Sequence, residues 1–177
     1  MPILLCALAA CSTGEGMDLR LFCDRYSEIS NQAHLEPRQF IARDLGEGRK
    51  YEAYISETLL LTLAAGPDGI VHTISLTALP ETTSPEFRRA AADVLKTFCA
   101  MENDAVERWL NAVQAGETEV LGYITNEESG FGGSAFRLTC AANAAGRYIR
   151  VSQPRFLPVE RELPTIKNFI EDQHDGS

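Results

Sequence analysis

The fold is decided by residues 51–79, YEAYISETLLLTLAAGPDGIVHTISLTAL, in which two apolar runs flank a turn. Leucines at alternate positions mark the first run, Tyr51 to Ala65, and apolar residues alternate with Thr and Ser in the second, Ile70 to Leu79. Between the runs, GPDG at residues 66–69 combines residue types that favour a tight turn. This pattern predicts two antiparallel strands that share one buried face.

Helical patterns lie on both sides of this strand pair. Apolar residues recur every three or four positions from Asp18 to Ser30, and Pro37 to Gly46 predicts a second, short helix that glycine ends. After the strand pair, Ser84-Pro85-Glu86 combines a capping hydroxyl, a proline and an acid, as at the start of a helix. A further helix is predicted from Asp104 to Gly116, so that the last two helices form a hairpin.

Strand character returns in residues 119–125, 134–141 and 147–152. The predicted order along the chain is therefore a helical region, a strand pair, a helical hairpin and further strands. This order is typical of an α+β fold. We therefore expect a single domain in which helices cover one face of an antiparallel sheet of about five strands. A chain of 177 residues is long enough to bury a substantial core.

The domain is expected to occupy residues 17–153. Residues 1–16 precede it as a signal and linker, and residues 154–177 follow it as a proline-containing extension with a short helix predicted around Ile166. No internal repeat or low-complexity segment interrupts this organisation.

The first sixteen residues carry a processing motif. An uncharged, mostly apolar run ends in Leu8-Ala9-Ala10-Cys11, and a small polar stretch follows. This segment resembles a bacterial lipoprotein signal, although no Lys or Arg precedes the apolar run. In such signals the peptide before the cysteine is removed and a lipid on the cysteine anchors the protein. The resemblance implies lipidation of Cys11 and a place in the periplasm or cell envelope; the alternative is a cytosolic protein that starts at Met17.

Composition excludes two classes of partner. A net charge of −9 and a pI near 4.8 argue against nucleic-acid binding, which depends on Lys and Arg that neutralise phosphates. The longest uncharged run ends at Gly14, short of the roughly 20 apolar residues that a membrane span needs. We therefore expect contact with a membrane only through the lipid.

Familiar catalytic and metal-binding motifs are missing from the sequence. It contains no Cys-x-x-Cys, no His-x-x-x-His and no Gly-x-Ser-x-Gly. The glycine-rich loop at residues 130–134 precedes a strand rather than a helix and has no nearby Lys, so we expect a hairpin loop and not a phosphate site. His72 is expected to be half-buried on the apolar face of its strand. The sequence predicts no catalytic residue, no metal site and no cofactor.

Charge is distributed unevenly along the chain. Residues 51–128 hold thirteen acids against four bases. Four arginines, by contrast, have no acidic neighbour between residues 129 and 159: Arg137, Arg147, Arg150 and Arg155. We take them as a candidate interaction surface that steers a charged partner. The alternative is that they pair with the acidic helices or remain solvated.

Three cysteines fall within the domain. Cys23 and Cys99 each flank the apolar stripe of a helix, whereas Cys140 is expected to point into the buried face of the sheet. Two helices side by side on one sheet face would bring such flanking positions together. We therefore predict a disulfide between Cys23 and Cys99 and keep pairings with Cys140 open.

The sequence favours a non-enzymatic protein-binding module of the cell envelope: an inhibitor, an immunity-type protein or an accessory protein of an assembly. Its partner is expected to be a protein. The alternative from another class is an enzyme of unrecognised type, with a cleft between the helical hairpin and the loop around Phe131.

Overall fold

The computed structural model describes residues 16–31, 33–114, 120–124, 136–143 and 146–153. The segment with Cys11 and the extension at residues 154–177 lie outside them, so the domain limits proposed above stay predictions.

Seven strands in the described residues form one antiparallel sheet. They are β1 Ile41–Asp44, β2 Arg49–Ser56, β3 Leu59–Ala65, β4 Val71–Ala78, β5 Val120–Ile124, β6 Phe136–Asn143 and β7 Gly146–Ser152. Their order across the sheet is β1-β2-β3-β4-β7-β6-β5. The first four strands are a meander, and the last strand returns to pair with β4. The α+β prediction, with helices on one face of an antiparallel sheet, is confirmed.

The expected number of strands was too low for two reasons. Residues 51–65 do not form a single strand, because a hairpin at Glu57 and Thr58 divides the region into β2 and β3. The helix predicted from Pro37 is also wrong beyond Gln39. Only a 3₁₀ turn, Pro37–Gln39, is helical, and Ile41 then pairs with Glu52 in the sheet.

Three α-helices in the described residues cover one face of this sheet: α1 Leu19–Ile29, α2 Ser84–Cys99 and α3 Asn103–Gln114. The Asp18 carboxylate caps α1 by accepting from the Leu21 N–H at 2.8 Å. Thr83, rather than Ser84, is the N-cap of α2, and its hydroxyl accepts from the Glu86 N–H. These caps satisfy backbone donors that the helices cannot pair internally.

The core lies between the helices and the inward side chains of the sheet. Leu61, Leu63 and Leu76 are fully buried. The rings of Phe98 on α2 and Phe136 on β6 meet edge to face, with centroids 5.5 Å apart. Such contacts join the helical layer to the sheet and fix which face of each strand remains available at the surface.

A bulge at the start of β4 changes which residue is buried there. The register between β3 and β4 shifts at Ala64 and Ala65, so Val71 is fully buried and Ile70 is only half-buried. His72 follows as a half-buried residue, as expected, and its Nδ1 lies 3.1 Å from Thr73 Oγ1.

Candidate functional site

Strand alternation produces a second face of the sheet, turned away from the helices, which we call the outer face. Successive side chains of a strand point to opposite faces, and residues paired between neighbouring strands share a face. Because Leu61 and Leu63 point into the core, Leu60 and Thr62 lie on the outer face. The described helices all pack against the opposite side.

The strand register arranges the outer-face side chains in three rows across the sheet. The first row is Tyr54, Leu60, Thr77 and Tyr148. The middle row is Ile41, Glu52, Thr62, Ser75, Arg150 and Thr139. The third row is Arg43, Lys50, Ala64, Thr73, Ser152 and Arg137. Hydroxyl groups thus occupy the centre of the face, and charged side chains stand at its sides.

Two hydrogen bonds organise the centre of the outer face. Arg150 Nε donates to Ser75 Oγ at 3.1 Å, which ties β7 to β4 through their side chains. In the next row, Thr73 Oγ1 donates to Ser152 Oγ, also at 3.1 Å. The serine hydroxyl therefore orients the Arg150 guanidinium, although this arginine is exposed.

The outer face is positively charged, whereas the whole chain carries −9. Its described cations are Arg43, Lys50, Arg137 and Arg150, and its one described acid is Glu52. Lys50 Nζ lies 2.7 Å from Glu52 Oε1, and Arg43 Nε lies 3.4 Å from Oε2. The hydrogen bond from Lys50 lowers the pKa of Glu52, so this carboxylate stays ionised and balances cations at the β1–β2 side.

Arg137 and Arg150 form the other charged side of the outer face. Both are exposed, and they lie diagonally across the β6–β7 ladder, since Arg137 pairs with Ser152 and Arg150 pairs with Thr139. Within the described part of the chain, neither arginine takes part in an ion pair.

Arg147, which the sequence predicts to be part of the same interaction surface, lies instead on the opposite side of the sheet. It pairs with the buried Ala78 on the helix-covered face. Its Nη1 donates to Ser84 Oγ at 2.7 Å and its Nη2 to the Thr82 carbonyl at 3.3 Å. Residues 147 and 150 are three positions apart in one strand, and an odd offset places their side chains on opposite faces. Arg155 lies outside the described residues.

A small apolar patch, which the sequence pattern does not predict, borders the outer face at β1 and β2. Ile41 is 67% exposed and Tyr54 is 64% exposed. Ile41 pairs with Glu52, so it is a diagonal neighbour of Tyr54, which in turn pairs with Leu60. Leu45, just after β1, is 60% exposed. The sequence pattern assigns Ile41 and Leu45 to a predicted helix, so it does not predict that they are exposed beside the sheet.

The three domain cysteines are buried and none of them is in a disulfide, so the predicted Cys23–Cys99 disulfide is not formed in the structure. Burial, with smaller contributions from Asp24 and Asp18, raises the pKa of Cys23 to about 11. Burial also raises the pKa of Cys99. Disulfide exchange requires the thiolate, which these environments disfavour. Cys23, Cys99 and Cys140 act instead as small core hydrophobes.

Side chains suited to metal binding are scattered in the part of the chain that the structure describes. No group of three or more His, Cys, Asp or Glu residues in it is placed to hold a metal ion. His34 is exposed, with Nε2 3.9 Å from Glu36 Oε1. None of the described helices combines the length and apolarity that crossing a membrane would require.

Comparisons of the chain with protein-family models, curated proteins and solved structures find no match.

Proposed function

We propose that the protein is a non-enzymatic binding module of the bacterial cell envelope, and that it binds a partner protein through the outer face of its sheet. The observation that carries this proposal is the charge of that face. Arg137 and Arg150 stand beside a row of hydroxyls, and the acids among the described residues lie mainly on helices, turns and loops. An acidic patch on the partner would complement this surface.

The residue types of the outer face suit protein recognition. Arginine and tyrosine are enriched at the energetic centres of interfaces, and Tyr148 lies beside Arg150 on β7. Ser75 already holds the Arg150 side chain, so less conformational entropy is lost when a partner carboxylate binds it. Threonine and serine around it offer further hydrogen-bond donors and acceptors.

A protein partner accounts for the charge distribution better than a nucleic acid does. The outer face is basic, but the net charge of −9 repels an extended phosphate backbone at long range. A compact acidic patch on a protein can contact the outer face alone. Opposite charges on the two surfaces would then accelerate association at low ionic strength.

The envelope address in this proposal rests on Leu8-Ala9-Ala10-Cys11. Lipidation of Cys11 would hold the domain at a membrane surface and leave the sheet to contact the partner. Expression in a bacterial host with labelled fatty acid should tag the wild type, and Cys11→Ser should lose both the label and membrane fractionation. Equal membrane association of the variant would contradict the anchor.

Capture from solubilised envelopes tests the binding face. Immobilised wild type should retain a partner that the Arg137→Gln/Arg150→Gln double variant loses. The matched control is Arg20→Gln/Arg89→Gln, which removes two exposed charges from α1 and α2 and should retain the partner. Retention should also weaken as salt rises, because the Debye length shrinks to about 8 Å near physiological ionic strength. Equal retention by both variants, or tight salt-sensitive binding to DNA instead, would overturn the proposal.

A further inference from the structure

Strand β1 is an edge strand of the sheet, and half of its backbone N–H and C=O groups point away from its neighbour. Among the described strands it pairs with β2 alone. All four of its residues are exposed. An exposed edge strand presents N–H and C=O groups on which another extended chain can pair.

The hydrogen-bond phase of the β1–β2 hairpin identifies the available groups. The Leu45 N–H donates to the Gly48 carbonyl at 3.0 Å, so Leu45 and Gly48 are a hydrogen-bonded pair. Such pairs alternate along an antiparallel ladder, and Arg43 therefore directs its backbone groups toward β2. The N–H and C=O groups of Ala42 and Asp44 point away from the sheet.

Side chains at the same edge specify the chemistry of an occupant. Ile41 and Leu45 stand two positions on either side of Arg43, and they are 67% and 60% exposed. A strand added to β1 would place one side chain opposite Arg43 and the side chains two positions away near these apolar groups. An acidic residue flanked at those positions by apolar residues would complement all three.

We propose that β1 accepts an extended segment of a partner protein as an additional strand of the sheet, with a carboxylate opposite Arg43 and apolar side chains against Ile41 and Leu45. This is β-strand addition, in which main-chain hydrogen bonds provide affinity and alternate side chains provide specificity. The inference deepens the proposed protein-binding function and rests on it, but it concerns the edge of the sheet rather than Arg137 and Arg150.

A second copy of the chain fits this edge less well. The antiparallel pairing of two copies that overlaps residues 41–45 of both chains in full centres on Arg43, and it keeps both helical layers on the same side of the sheet. It would place two Arg43 side chains directly opposite each other, and like charges in that position are destabilising. A partner segment that supplies a carboxylate removes this repulsion.

Two synthetic peptides test the inference with the full chain. The first is Thr-Val-Thr-Glu-Thr-Val-Thr, with blocked ends, and the second carries Gln in place of Glu. Wild type should bind the Glu peptide about threefold more tightly than the Gln peptide, as expected for an opposite-charge cross-strand pair. Arg43→Gln should bring this ratio to about one, whereas Arg89→Gln should leave it unchanged. Bound peptide should slow hydrogen exchange at the amides of Ala42 and Asp44.

Ala42→Pro tests the backbone contribution separately. It removes an N–H that points away from β2, so the fold should be retained, and thermal unfolding checks this. Binding of both peptides should weaken at least about tenfold, because proline removes a main-chain donor and blocks close approach. Undiminished binding by this variant overturns the proposal, as do equal affinities of wild type for the two peptides or no binding of either.

Sedimentation completes the test. We expect wild type to be a monomer, and a dimer that Ala42→Pro dissociates would assign the edge to self-association and overturn the proposal. Failure of the proposed function gives a different result, namely retention of the envelope partner by Arg137→Gln/Arg150→Gln. The experiments therefore distinguish failure of the edge-strand inference from failure of the proposed function.

Discussion

Arg150 on β7 lies directly opposite Ser75 on β4, and its Nε donates a hydrogen bond to Ser75 Oγ at 3.1 Å. The other guanidinium N–H groups of Arg150 can then be offered to a partner at the surface. Arg147, on the same strand, directs its guanidinium to the helical side instead. One strand therefore supplies an arginine to the candidate binding face and another to the packing of the fold.

This division predicts effects of different size on stability. Arg147→Met should lower the free energy of unfolding by about 1–2 kcal/mol, because it removes the hydrogen bonds to Ser84 and the Thr82 carbonyl. The matched change Arg150→Met should alter stability by no more than about 0.5 kcal/mol. Urea unfolding of both variants measures the difference, and equal effects would contradict the assignment of the two arginines to different roles.

Ala100 ends α2 in the left-handed region, with φ of 51°. A side chain is strained there and glycine is not, so Ala100→Gly should stabilise the domain by about 1 kcal/mol. Ala92→Gly, inside α2, serves as the control and should destabilise by about 1 kcal/mol. Thermal unfolding should shift in opposite directions for the two variants. A shift in the same direction would contradict this account of the helix end.

Asp93 on α2 provides a pH-dependent prediction. Burial raises the pKa of its carboxyl, although the hydrogen bond with Ser30 and the nearby charges of Lys96 and Arg89 oppose the shift. The folded chain therefore holds this proton to higher pH than the unfolded chain does. Its contribution to stability is full below the ordinary carboxyl pKa and is lost as pH rises toward the folded-state pKa.

Asp93→Asn removes this titration. The free energy of unfolding of wild type, relative to that of the variant, should therefore fall as pH rises between about pH 4 and pH 7. Denaturant unfolding at several pH values provides the measurement. A constant difference between the two proteins, or a wild type that gains stability over this range, would show that burial does not govern Asp93.

The three buried cysteines should be reduced and slow to react. In a Cys6→Ser/Cys11→Ser variant, we expect little alkylation of the native domain and three alkylated thiols after denaturation without reductant. The reason is that burial raises the pKa values of Cys23 and Cys99 and excludes the reagent. Mass spectrometry counts the modified residues. Labelling of Cys140 alone would instead establish the Cys23–Cys99 disulfide.

Local patterns predicted much of the fold but missed β1. From Leu59 onward, apolar residues recur at every second position. This repeat identifies a strand with one buried face, because it depends only on the local geometry of the strand. The spacing of Phe40, Ile41 and Leu45 has no such clear period, and a preceding proline favours a helix start as much as a turn. Pairing with β2, a contact between distant residues, decides the conformation of Ile41.

The candidate site was predictable only in part. The sequence shows that Arg137 and Arg150 are cations without acidic neighbours, and strand alternation shows that Arg147 must face the other way from Arg150. It does not show that Ser75 lies opposite Arg150. That contact depends on the pairing of β7 with β4, two strands that the helical hairpin, β5 and β6 separate in the chain. The exposure of Ile41 and Tyr54 depends on the same strand order, which leaves β1 at an edge.

Site-specific photo-cross-linking is the most direct test of the central claim that the outer face binds the partner. A photoreactive phenylalanine analogue replaces the exposed Thr77, beside Tyr148 on the outer face, or the exposed Asp104 on α3. We expect irradiation in living cells to join the partner to the chain from position 77 and not from position 104. Cross-linking from position 104 with none from position 77 would contradict the account and assign binding to the helices.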